Sequence, residues 1–169
     1  LHRRRHSFPT RRSSDLRLFG PATVVAADLH LPLYDGDLEA EGIPAEVQRL
    51  ADQIAAADAV VISTPEYNKA LSGVLKNALD WVSRTKGNPW RDKPVAIVSA
   101  AAGRAGGERA QFSLRLCLTP FRPRVLPGPE VMVADSGVAF DEDGHLKDAR
   151  TIKGLQELMT QLRDEVQAR

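Results

Sequence analysis

Two short segments concentrate residue types that could hold a planar heterocycle. The first is Thr64-Pro65-Glu66-Tyr67-Asn68-Lys69-Ala70-Leu71-Ser72. It packs a rigid proline, an aromatic ring and hydrogen-bonding side chains into one turn, which suits a ring with carbonyl and N–H edges. Pro65 fixes its own φ and so shapes the turn. The same residues also suit an ordinary helix start, with Asn68 or Ser72 as the cap and Tyr67 packed inward. The second segment, Ser99-Ala100-Ala101-Ala102-Gly103-Arg104-Ala105-Gly106-Gly107, carries three glycines in its last five residues. They let backbone approach a ligand closely and present N–H groups ahead of a helix. The alternative for this segment is a flexible loop.

Other chemistries find little support. The single cysteine, Cys117, lies in Leu114-Arg115-Leu116-Cys117-Leu118 and reads as a small buried hydrophobe. One cysteine excludes an internal disulfide framework and fits a reducing compartment. His2, His6, His30 and His145 show no metal-ligand spacing with each other or with Cys117, so no metal site is expected. No acid–base pair or activated nucleophile stands out, and no catalytic residue is assigned.

The elements around these segments alternate. Residues 23–27 form a short β-branched run that predicts a strand, and residues 31–37 a loop punctuated by Pro32 and Gly36. Pro44 marks a helix start, followed by Val47, Leu50, Ile54 and Ala57 at helical spacing. Residues 59–63 are a continuous apolar run of the kind found in a buried parallel strand. A helix over 73–84 carries Val74, Leu75, Ala78, Leu79 and Val82 on one face. A strand over 94–99 and a helix over 108–118 follow, the latter stopped by Pro120 and Pro123. Residues 125–133 predict an edge-like strand broken by Pro127, Gly128 and Pro129, and a last helix spans about 148–166.

Strands separated by helices of this length imply a parallel sheet covered on both faces. Ligands in such sheets bind beyond the carboxyl ends of the strands. Both ligand-suited segments begin at such ends, after Ser63 and around Ser99.

The chain has 169 residues, enough for one domain with a substantial core. Its formal net charge of +1 hides an asymmetry. Residues 1–16 hold Arg3, Arg4, Arg5, Arg11 and Arg12 against Asp15, so the remainder is mildly acidic and offers no basic surface for nucleic acid. The arm has no apolar period and is expected to be disordered and foreign to the fold, leaving residues 17–169 as the domain. No apolar run is long enough for a membrane helix, and the basic N-terminus has no hydrophobic stretch behind it as a secretory signal would.

Thr64-Pro65-Glu66-Tyr67-Asn68, followed by the run from Ser72-Gly73-Val74-Leu75-Lys76-Asn77 to Ala78-Leu79-Asp80-Trp81, resembles the signature of the NADPH-dependent FMN reductase family. That family includes flavin, quinone, chromate and azo-dye reductases. The glycine segment is similar to the family's S-x-x-P-G-x-x-G-G, with Ala102 in place of the proline, and residues 31–39 resemble the loop after its second strand. The likeness runs from about Thr23 to the C-terminus.

The resemblance implies a flavodoxin-like three-layer α/β sandwich and a flavoprotein oxidoreductase. Pro65, Glu66, Tyr67 and Asn68 would hold the isoalloxazine ring of FMN, and Ser99, Gly103, Gly106 and Gly107 would contact its other edge. NAD(P)H would deliver hydride through FMN to a small-molecule acceptor such as a quinone, chromate, an azo compound or free flavin. The protein would be cytoplasmic, and a homodimer or homotetramer through the helix 73–84. The apolar groups Val74, Leu75, Ala78, Leu79, Trp81 and Val82 are more than one sheet face is expected to use.

Two parts of the family pattern have no counterpart, its first strand and its G-S-x-R-x-x-S-x-N phosphate loop. Ser7, Arg11, Ser13 and Ser14 mimic the loop's composition, but no apolar strand precedes them. In the family's strand order, 2-1-3-4-5, the missing strand would lie between residues 23–27 and 60–63, so a gap or a shifted pairing is expected there. The alternative function is a non-enzymatic flavodoxin-like module, or an inactive fragment lacking the FMN phosphate site.

Overall fold

The apolar run after Asp58 forms β1 (Val60–Thr64), and the run before the glycine segment forms β2 (Pro94–Ala100), in a computed structural model that describes residues 17–168. The two strands pair in parallel, with Val60 opposite Val95 and Thr64 opposite Ser99. On its other side β2 pairs with two short parallel strands, β3 (Arg124–Val125) and β4 (Val131–Val133). They are the expected fourth strand split in two. Pro127 and Pro129 have no N–H to donate to a ladder, and Gly128-Pro129 is a cis peptide.

Helices cover both faces. On one lie α2 (Ala45–Ala56), α3 (Gly73–Val82) and α4 (Glu108–Leu118); on the other lies α5 (Ala149–Gln167). The short α1 (Gly36–Glu41) was not expected from the sequence. Its glycine at the first position and six-residue length hide it, and Asp35 secures it by accepting from the N–H groups of Asp37 and Leu38.

Alternate residues of β2 serve opposite cores. Val95 and Ile97 join Ile62, Leu50, Ile54, Leu79 and Leu114, while Ala96 and Ala100 join Val131, Leu155, Leu158 and Met159. This period of two is what a sheet covered on both faces requires. Each fully buried leucine of these cores contributes about 1.5–3 kcal/mol. Leu18 and Phe19, in a 3-10 turn, pack against the α5 side, with the Arg163 guanidinium 5.0 Å from the Phe19 ring centroid. The three-layer parallel architecture is thus the expected flavodoxin-like one.

Residues 23–27 are not a strand. They are exposed and outside the sheet, with Val24 at 55% and Val25 at 63% exposure. A β-branched run becomes a strand only where it finds a ladder partner, and among the described residues the edge of β1 away from β2 is unpaired. Among the described residues the sheet therefore ends at β1, and the gap or shifted pairing expected between two strands does not arise because the first of them does not form. The basic arm, with Ser7, Arg11, Ser13 and Ser14, lies outside the described residues.

The helix 73–84 requires a second correction. Leu75, Ala78, Leu79, Trp81 and Val82 are all buried within the chain, Trp81 completely, and only Val74 is exposed, at 57%. The supposed excess of apolar groups is absorbed by α2, α4 and the loop 31–34 rather than left for a second copy.

Candidate functional site

The register places Thr64 directly opposite Ser99, so the two ligand-suited loops leave adjacent strands at the same level. Thr64 is fully buried and donates its hydroxyl to the Pro65 carbonyl at 2.9 Å. Beyond Pro65 the chain makes a tight turn, in which Tyr67 and Ala70 exchange backbone bonds of 3.1 and 3.0 Å. The two residues between them, Asn68 (φ 49°) and Lys69 (φ 66°), both adopt the left-handed conformation of a type I′ turn. Asparagine tolerates that region well and lysine less so. The turn presents the Tyr67 ring, 61% exposed, together with Asn68 at the surface beyond the strand end.

Glu66 points to the second loop. Its Oε2 accepts the N–H groups of Arg109 (3.0 Å) and Ala110 (3.3 Å) in the first turn of α4. A second tie joins the same partners, since the Leu71 N–H donates to Ser113 Oγ at 2.8 Å.

The glycine loop lies flush against the sheet. Gly106 (φ 61°) and Gly107 (φ 96°) are buried and left-handed. A Cβ at 106 would lie 2.7 Å from the Met132 carbonyl carbon, and one at 107 would lie 2.7 Å from Ser99 Cβ. Both positions demand glycine on conformation and on space. Gly103 differs, because its φ is ordinary and a Cβ there would meet nothing within 4 Å.

Ser99 is 1% exposed and fully engaged, its hydroxyl donating to the Gly106 carbonyl at 2.7 Å and accepting from Gln111 Nε2 at 2.9 Å. Gln111 Nε2 also donates to the Val131 carbonyl at 2.9 Å. Gln111 is fully buried and was missed in the sequence; its signal was a polar residue on the buried stripe Ala110, Leu114, Leu118.

A second overlooked group holds residues 32–34. The Pro32 carbonyl accepts from both Asn77 Nδ2 (2.9 Å) and Trp81 Nε1 (2.8 Å), and the Tyr34 N–H donates to Asn77 Oδ1 at 2.9 Å. The Tyr34 phenol donates to Glu39 at 2.6 Å, and the Arg84 guanidinium binds both oxygens of that carboxylate. The Tyr34 bond and then the Arg84 bond hold the Glu39 carboxyl below its usual range.

The N-termini of the two helices at this end of the sheet are already filled. Ser72 accepts from the Leu75 N–H at the start of α3, and Glu66 occupies the start of α4. A cavity of about 500 Å³ lies elsewhere, lined by Lys76, Asp80, Cys117 and Phe121. The paired loops lie apart from it, at the carboxyl ends of adjacent strands, where parallel sheets of this kind bind their ligands. Asp141, Asp143 and His145 approach one another, but all three are exposed and nothing else points to a cation.

Residues 16–137 match the family model described as NADPH-dependent FMN reductase. The chain belongs to this family. Within it, the chain is 45% identical over 132 residues to an NAD(P)H-dependent FMN reductase of Pseudomonas aeruginosa, an alignment covering 78% of this chain and 71% of the relative. It is 48% identical over 103 residues to a quinone reductase of Escherichia coli K12, covering 60% of this chain but only 55% of that relative. Among solved structures, FerB of Paracoccus denitrificans, described as a flavoenzyme NAD(P)H:(acceptor) oxidoreductase, matches with a TM-score of 0.81 at 31% identity, covering 94% of this chain and 88% of FerB.

The site fits the two ends of FMN differently. Gly103 leaves open space where neither packing nor backbone demands a glycine, and on the loop that leaves the adjacent strand Tyr67 and Asn68 expose a ring and an amide. These features suit a flat ring system. A phosphate dianion fares worse, since the Glu66 carboxylate already takes the N–H groups at the start of α4. No helix of the described residues is long and apolar enough to cross a membrane.

Proposed function

We propose that the paired loops hold the isoalloxazine ring of FMN and that the chain serves NAD(P)H-dependent reduction of a small acceptor such as a quinone, chromate, an azo compound or free flavin. The observation that carries this reading is the alignment of Thr64 with Ser99, which sets the two loops side by side at adjacent strand ends in a chain of this family. Pro65, Tyr67 and Asn68 would border one side of the ring, and Gly103 would let it approach the other. Glu66, Ser99, Gly106 and Gly107 support those surfaces from behind. FMN, when bound, supplies hydride acceptance from NAD(P)H and electron delivery to the acceptor. The protein's own part is to orient the ring and offer polar groups to its edge.

The relatives' names, as FMN and quinone reductases, support a quinone or a flavin as acceptor. Consumption of NADH or NADPH with a benzoquinone acceptor, at saturating added FMN, tests the proposal. Acceleration over the protein-free FMN control supports it; equality with that control favours the non-enzymatic module. The filled start of α4 is the observation that keeps that second reading in play.

Val74 on α3 and, separately, Phe112 (52%) and Leu116 (74%) on α4 are large exposed apolar groups, which supports self-association involving the helix 73–84 as a homodimer or homotetramer. The lone, half-buried thiol of Cys117 supports a reducing, cytoplasmic setting.

A further inference from the structure

We propose that Glu66 is a positioning residue that couples the two ring-side loops, acting as the cap of α4 across a long separation in sequence; its bearing on ligand affinity rests on the flavin reading above. The reason lies in Gly107. As N-cap of α4 it cannot carry a side chain, since its φ is 96° and a Cβ would lie 2.7 Å from Ser99 Cβ. The helix therefore begins with no cap of its own, although its first N–H groups still need acceptors. A side chain from elsewhere must supply one.

Glu66 does so with a carboxylate, the group that the helix dipole favours at this end. Its Oε2 serves Arg109 and Ala110, the second and third residues of the helix, which are the donors a local cap would satisfy. The Leu71 N–H bond to Ser113 Oγ fixes the far side of the same loop to the same helix, and Ser113 Oγ in turn donates to the Ala110 carbonyl at 3.0 Å. The Tyr67 turn is thus held at both ends on α4, and the glycine loop is held by the start of α4. Movement of one loop displaces the other.

Amide hydrogen exchange of the ligand-free protein tests the coupling, with Glu66→Ala and the conservative Glu66→Gln compared with the parent. In Glu66→Ala, exchange should rise about fivefold to tenfold at Arg109 and Ala110 and also at Tyr67 and Ala70, while Leu114, further along α4, keeps its protection. Glu66→Gln retains an acceptor oxygen and should restore most of the protection. Unchanged rates at Arg109 and Ala110 in Glu66→Ala would overturn the proposal, and so would faster rates there without a matching rise at Tyr67 and Ala70. Riboflavin affinity should follow the same order, weakest in Glu66→Ala and recovered in Glu66→Gln. Affinity lost in Glu66→Ala with exchange unchanged would mark Glu66 as a direct ligand contact and also overturn it. A parent protein that binds no riboflavin defeats the flavin reading alone, because the exchange rates decide the coupling without ligand.

Discussion

Ser99 and Gly107 stand so close that a Cβ on residue 107 would lie 2.7 Å from Ser99 Cβ, and the contact fixes where the glycine loop can run. Gly107→Ala should therefore cost about 1–3 kcal/mol from backbone strain, with the clash in addition. Gly103→Ala, where a Cβ meets open space, should change stability by less than about 0.5 kcal/mol yet weaken flavin binding. Urea denaturation of both variants checks the contrast. Equal destabilisation would mean that Gly103 serves the fold rather than a ligand.

The clamp on residues 32–34 should show in Asn77→Ala. The Tyr34 N–H loses its acceptor and the Pro32 carbonyl keeps only the Trp81 donor. A loss of about 1–3 kcal/mol is expected, read as a lower urea midpoint at unchanged slope. A stability equal to the parent's would show that water replaces Asn77 without penalty.

Self-association involving α3 should depend on Val74 and not on Trp81, which is wholly buried. Sedimentation of Val74→Lys should give a smaller assembly than the parent, while Trp81→Phe leaves the mass unchanged and lowers only stability. A parent that sediments as a monomer at micromolar concentration would remove this helix as an interface.

The acid limb of stability carries a signature of Glu39. Its carboxyl titrates below the usual 4.5 in the folded chain, chiefly through the Tyr34 phenol and then Arg84. A carboxyl whose folded value is lowered contributes fully above its unfolded value and loses that contribution as pH falls through the folded value. Glu39→Gln should therefore flatten part of the stability loss below about pH 4.5. The effect will be small, because the group is solvent-accessible and screened. An unchanged acid limb would show that the Tyr34–Glu39–Arg84 group adds nothing in solution.

Much of this arrangement was legible in the sequence, for identifiable reasons. The continuous apolar runs at 59–63 and 94–99 read as strands of the buried parallel kind, which β2 is and β1, with its outer edge unpaired among the described residues, is only in part. The glycines at 106 and 107 announced a backbone pressed against something. What the residues did not reveal were relationships between segments. Residues 23–27 have strand composition but no partner, and a strand is defined by its partner. Trp81 and Leu79 looked available to a second copy because a helical stripe does not say whether it is buried within a chain or between chains. The bond from Glu66 to the start of α4 gave no local signal, because nothing in the neighbouring sequence shows that Gly107 cannot cap its own helix.

The central claim, that the loops at Pro65–Asn68 and Gly103–Gly107 hold a flavin ring, is tested most directly by parallel titration with riboflavin and FMN, followed by quenching of flavin fluorescence. A phosphate in a formed site makes about three charge-assisted hydrogen bonds of roughly 1.5–3 kcal/mol each. Without them, affinity should be about a thousandfold or more below that of a protein with such a site. Weak, saturable binding of both flavins is predicted, with affinities within about threefold of one another and lowered by Gly103→Ala. Tight binding of FMN alone would mean that Arg11, Ser13 and Ser14 build a phosphate site after all. The absence of saturable quenching by either flavin would contradict the account.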